Sequence, residues 1–87
     1  MYSIQYYKKA LNQIQLLKSA KLDKKVQRLI DIIRENPFEN PPPYEKLSGD
    51  LKGLYSRRIN VQHRLVYKVD ENTKTVRILS MWTHYEF

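Results

Sequence analysis

Two stripes of apolar residues at helical spacing, a run of prolines, and then short segments rich in branched and aromatic residues predict an α+β fold. The expected architecture is two N-terminal helices packed on one face of a small, mainly antiparallel sheet of about three to five strands, because neither stripe nor sheet face can stay uncovered. The chain has 87 residues. A chain of that size buries roughly 60 to 65% of its unfolded surface and supports one core, so residues 1–87 are read as a single domain.

The elements follow in order. After a short extended start, Ile4, Tyr7, Ala10, Leu11, Ile14 and Leu17 recur at three- and four-residue intervals, and Lys8, Lys9 and Gln13 fall away from that stripe. Leu22, Val26, Leu29, Ile30 and Ile33 repeat the pattern in a second helix, with Ser19 available as its N-cap and Pro37 stopping it near Asn36. Pro41, Pro42 and Pro43 lack amide donors and predict a stiff, extended surface connector that delivers Tyr44 and Glu45 to a fixed place. Beyond Gly49 and Gly53, residues 54–59, 64–69 and 75–83 read as three strands of a meander. Asp70, Glu71, Asn72 and Thr73 favour a tight turn between the last two.

Sixteen Lys and Arg against nine Asp and Glu leave a net charge of +7. That surplus suits phosphate chains, anionic membranes or an acidic protein. No apolar run approaches the roughly 18 residues of a membrane span, and the polar start is unlike a signal peptide, so a cytoplasmic protein with no membrane partner is expected. With no cysteine and only His63 and His84, a thiolate nucleophile is excluded and neither a metal site nor a cofactor is expected.

Side chains alternate across a strand, so Arg58 shares a face with Ser56, Arg64 with Val66 and Lys68, and Trp82 with His84. A pairing that brought those sides together would collect Arg58, Arg64 and His84 on one open sheet face, with Glu45 arriving beside them. That set matches RNA cleavage by the RNA's own 2′-hydroxyl, which needs a base, an acid and positive charge on the phosphate. Arginine's planar fork grips two phosphate oxygens, which weights Arg58 and Arg64 above Lys46 and Lys52. Tyr44, Tyr55, Trp82, Tyr85 and Phe87 offer rings near these charges, with Trp82 and Tyr55 the candidates for stacking on bases. His63 falls on the opposite side from Arg64 and reads as structural, while Tyr2, Tyr6, Tyr7 and Tyr67 read as packing at the core edge.

Five short blocks then carry a family likeness: Asn36-Pro37-Phe38-Glu39, Glu45-Lys46-Leu47, Ser56-Arg57-Arg58-Ile59, His63-Arg64-Leu65-Val66-Tyr67, and His84-Tyr85. In this order and spacing, behind two helices, they resemble the Txe/YoeB toxins of the RelE/ParE superfamily. The resemblance implies the microbial-RNase (RelE-like) fold, cleavage of mRNA on the 70S ribosome, and neutralisation by a YefM-like antitoxin; a homodimer is a further expectation. Carried over residue by residue, it implies Glu45 as general base, His84 as general acid, Arg64 as stabiliser of phosphate charge, Tyr85 as a catalytic residue that positions substrate, and Arg58 as a supporting phosphate contact; Lys46, a cation next to Glu45 in sequence, is a further expected phosphate contact. The chain departs from the pattern where Ser48 stands in place of a frequent lysine, where Trp82 stands in place of basic residues, and where Glu86 and Phe87 follow the usual His-Tyr end. Two other readings use the same charges: a non-catalytic RNA- or ribosome-binding module, and a ParE-like inhibitor of a topoisomerase.

Overall fold

The computed structural model describes residues 1–82. Its elements are β1 (Ser3–Tyr6), α1 (Lys8–Asn12), α2 (Ile14–Ser19), α3 (Asp23–Glu35), β2 (Glu45–Lys46), a 3₁₀ turn (Gly49–Leu51), β3 (Tyr55–Arg58), β4 (Arg64–Asp70) and β5 (Thr75–Ser80). The strands form one five-stranded sheet in the order β1-β5-β4-β3-β2. The expected meander is present as β3, β4 and β5, and the extended start joins the sheet as β1, parallel to β5, making the sheet mixed.

The helices cover one sheet face. Ala10, Leu17, Val26, Leu29, Ile30 and Ile33 pack with Leu65, Tyr67, Val76 and Ile78 in a continuous core. The α3 stripe lies as the periodicity predicts, but the first helix differs in two ways. It is broken at Gln13, and Tyr7 and Leu11 of the predicted stripe are exposed while Gln13 is buried. The cause is the Gln13 side chain: its Oε1 accepts from the Met81 amide at 2.6 Å and from the Ser80 hydroxyl at 3.4 Å, tying the helix break to the end of β5. A buried polar side chain with two partners replaces the apolar residue that the stripe required.

Ser19 does not cap α3, which starts at Asp23 after Leu22. Instead α2 closes with Leu22 donating to the Leu17 carbonyl at 2.9 Å and Lys21 to the Lys18 carbonyl at 3.1 Å, with Lys21 at a φ of 59°. This is a Schellman closure, and it uses Ser19 as the last helical residue of α2 rather than as a cap. At the β4–β5 turn, Asp70 Oδ1 accepts the amides of Asn72 at 2.9 Å and Thr73 at 3.3 Å, as the turn residues predict.

The proline connector is the other correction. Residues 40–42 bend instead of running extended, with cis peptides at Asn40-Pro41 and Pro41-Pro42. The segment does keep to the surface, with Asn40, Pro41 and Pro43 exposed and Pro42 and Tyr44 half-buried, so it is the bend that departs from the expectation. The physical reason is a side chain from β3 that gathers its carbonyls, described next.

Candidate active site

Strand register decides which charges meet. Glu45 pairs with Ser56 and Ser56 with Val66, so these three form one row across the sheet face turned away from the helices, and the register shift after Val66 ends the row there, with Ser80 turned to Gln13 on the helix side. Two residues along, Arg58 stands directly opposite Arg64. Lys68 and Arg77 form a further opposed pair on that face. Glu45, Arg58 and Arg64 therefore share a face, and Pro43, Tyr44, Glu45, Ser56 and Arg58 line a cleft of about 310 Å³ on it.

The electrostatics of this face are unfavourable without a ligand. Like charges directly across a ladder repel. Arg64 Nε and Nη1 and Ser56 Oγ are buried and have no hydrogen-bond partner among the described residues. Buried donors left unpaired cost roughly 1 to 3 kcal/mol each, and more when charged. Two opposed guanidiniums with spare donors form a receptor for an anion carrying several oxygens.

Alternation sends other residues elsewhere. Lys46 and Tyr55 pair with one another on the helix-side face, away from the two arginines. Tyr55 sits among Phe38, Tyr44 and Tyr67, with ring centroids 5.2, 6.0 and 5.7 Å away, so its ring is committed to internal packing. Trp82 is half-buried and stacks on His63 at 4.0 Å with an interplanar angle of 21°. His63 is itself buried, in keeping with a structural role. His84 and Tyr85 lie outside the described residues.

Arg57, named so far only as part of the Ser56-Arg57-Arg58-Ile59 block, is 1% exposed. Its guanidinium donates to Tyr67 Oη at 3.1 Å and to the carbonyls of Pro42 at 2.7 Å, Pro37 at 3.0 Å and Glu39 at 2.9 Å. The Tyr44 ring packs against it at 5.2 Å, and Tyr67 Oη donates onward to the Pro37 carbonyl at 2.8 Å. Burial raises the Tyr67 pKa above that of an ordinary phenol, against the opposing pull of Arg57, so the hydroxyl keeps the proton that it donates. A signal for this was present: a connector with consecutive prolines has carbonyls but few amides, and needs donors from elsewhere.

The sequence model of the YoeB-like toxins of bacterial type II toxin–antitoxin systems matches residues 6–85. The chain belongs to this family. A YoeB toxin from Synechocystis is 39% identical over 66 residues, 76% of this chain and 74% of that protein. One from Streptomyces coelicolor is 50% identical over 48 residues, which span 55% of this chain and 57% of that relative. Among solved structures, a YoeB/ParE toxin from Agrobacterium tumefaciens superposes with a TM-score of 0.86 at 26% identity, covering 95% of this chain and 99% of that one. YoeB in a heterotetrameric YoeB–YefM complex from Staphylococcus aureus gives 0.80 at 36% identity, covering 98% and 99%. The YoeB-like chain is thus a type II toxin, and its α+β architecture is that of its relatives.

Proposed function

We propose that this YoeB-family toxin is a ribosome-dependent endoribonuclease that cuts mRNA by acid–base catalysis through the RNA's 2′-hydroxyl. The observation that carries the reading is the opposed Arg58–Arg64 pair, with buried donors on Arg64 that have no partner among the described residues, on the same face as the Glu45 carboxylate. Glu45 takes the 2′-hydroxyl proton, the 2′-oxygen attacks the adjacent phosphorus, and the charge that develops on the phosphate oxygens is held by Arg64 and Arg58. His84 gives its proton to the departing 5′-oxygen, leaving a 2′,3′-cyclic phosphate and a free 5′-hydroxyl, while Tyr85 positions the substrate. Lys46, on the other face, contributes at most to the long-range attraction of the phosphate chain.

Ribosomes place the reaction in the cytoplasm, and among the described residues no helix is long and apolar enough to cross a membrane. The cationic face also suits an acidic antitoxin of the YefM kind, in line with the complex and the YoeB dimer solved for the Staphylococcus aureus relative. Primer extension on a message translated with the purified chain tests the activity. New 5′ ends only when ribosomes are present support the proposal. Ends without ribosomes make it a free ribonuclease, and intact messages with induced DNA breaks turn the reading to a topoisomerase inhibitor. RNA binding that survives in His84→Gln while cleavage is lost rules out a purely binding module.

A further inference from the structure

We propose that Arg57 is a positioning residue for the site: its buried guanidinium holds the connector at residues 37–42 and thereby fixes where the carboxylate of Glu45 stands. This rests on Glu45 being the base proposed above.

Three observations carry it. First, β2 is only two residues long, and among the described residues Glu45 is joined to the sheet through its pairing with Ser56 alone. So short a ladder does not by itself fix a side chain to the tolerance that catalysis needs. Second, the segment leading into Glu45 has few bonds of its own, whereas Arg57 takes up three of its carbonyls and faces the Tyr44 ring immediately before Glu45. Third, no carboxylate among the described residues pairs with Arg57, so the buried charge is solvated by the connector's dipoles and the Tyr67 hydroxyl. The connector and the guanidinium thus hold each other in place: released carbonyls would strand the charge, and a lost charge would free the connector.

Alternation separates this role from phosphate contact. Arg57 points to the helix-side face with Leu65 and Tyr67, whereas Arg58, one residue later, stands on the cleft side opposite Arg64. Lysine at position 57 keeps a charge but, with one nitrogen in place of a fork, cannot reach three carbonyls and a phenol together.

The test compares wild type, Arg57→Lys, Glu45→Gln and the double variant, each checked for folding by circular dichroism. Tyr67→Phe, which removes two of the bonds in the same network, stands in should Arg57→Lys not fold. One readout needs no activity: the rate of tryptic cleavage after Lys46 relative to that after Lys74, followed by mass spectrometry. The other is the maximal rate of message cleavage and the ribosome concentration that half-saturates it. Arg57→Lys is expected to speed cleavage after Lys46 and to lower the maximal rate by about a hundredfold, as for an ångström-scale misplacement of a catalytic group, with half-saturation unchanged. Tyr67→Phe should lose about tenfold. In the Glu45→Gln background the Arg57 substitution should cost almost nothing more, because it acts through the carboxylate already removed. Equal losses in both backgrounds, or an unchanged rate of cleavage after Lys46, would overturn the proposal. A wild-type chain that cuts no message would refute the nuclease reading instead, and the tryptic comparison alone would then decide the clamp.

Discussion

Arg64→Met should make the protein more stable and less active at once. Arg64 Nε and Nη1 are buried without partners among the described residues, and the side chain as a whole is half-buried. Methionine keeps much of the aliphatic stem while removing the orphaned donors and the repulsion from Arg58 directly opposite. Each unpaired donor costs roughly 1 to 3 kcal/mol, but partial solvation of the guanidinium reduces this, so a net gain of about 1 to 2 kcal/mol is expected. For a domain of this size that corresponds to a rise in Tm of about 5 to 15 °C by thermal unfolding in low-salt buffer without phosphate. Adding a 3′-nucleoside monophosphate should stabilise wild type, by about 2.7 kcal/mol at a hundred times its Kd, and leave Arg64→Met unmoved. The reasoning fails if Arg64→Met lowers Tm and the nucleotide shifts both proteins equally, since the donors would then be serving the fold and not an anion.

Glu45→Gln should lower the maximal cleavage rate by about a hundred- to ten-thousand-fold, measured by primer extension on translated message, with Tm unchanged because Glu45 is exposed. Gln13→Leu strands the buried Met81 amide and should destabilise by about 1 to 3 kcal/mol in urea unfolding, whereas Gln13→Glu, which keeps an acceptor there, should lose less. Acid should weaken the fold through the β4–β5 turn: the Thr73 and Asn72 amides hold the Asp70 carboxyl below its ordinary pKa, and the Tyr2 hydroxyl and Lys74 do the same for Glu71. Both groups bind protons less readily folded than unfolded, so their contribution is full above the ordinary carboxylate range and is lost as pH falls below that range through the lowered folded-state pKa values. Asp70→Asn should flatten that loss in a pH series of urea midpoints.

The parts of the fold legible in the sequence were those with one dominant periodic signal. The α3 stripe and the β3–β4–β5 meander reproduce their apolar pattern because burial alone decides them. The first helix was misread where a polar residue does an apolar residue's work: Gln13 is buried because Met81, 68 positions away, needs an acceptor. No local pattern carries that information. The parallel pairing of β1 with β5 is likewise non-local, since Ile4 meets Val76 across nearly the whole chain. At the site, the common face of Glu45, Arg58 and Arg64 depended on register, which alternation within single strands does not determine. Lys46 and Tyr55 were placed beside the charges by sequence proximity, and register puts both on the other side.

The adjacent pair Arg57 and Arg58 shows how one sequence feature divides between two faces of the sheet. Successive strand residues face opposite ways, so one guanidinium enters the helix-side interior and its neighbour enters the cleft. Inside, Arg57 finds four acceptors, which makes burial of a charge tolerable and ties the connector down. Across the sheet, Arg58 meets Arg64, whose buried donors have no partner from the described residues. A fold optimised for stability alone would not oppose two cations and leave donors unpaired. The satisfied arginine therefore serves the scaffold, and the unsatisfied one keeps donors for the phosphate contact proposed for it.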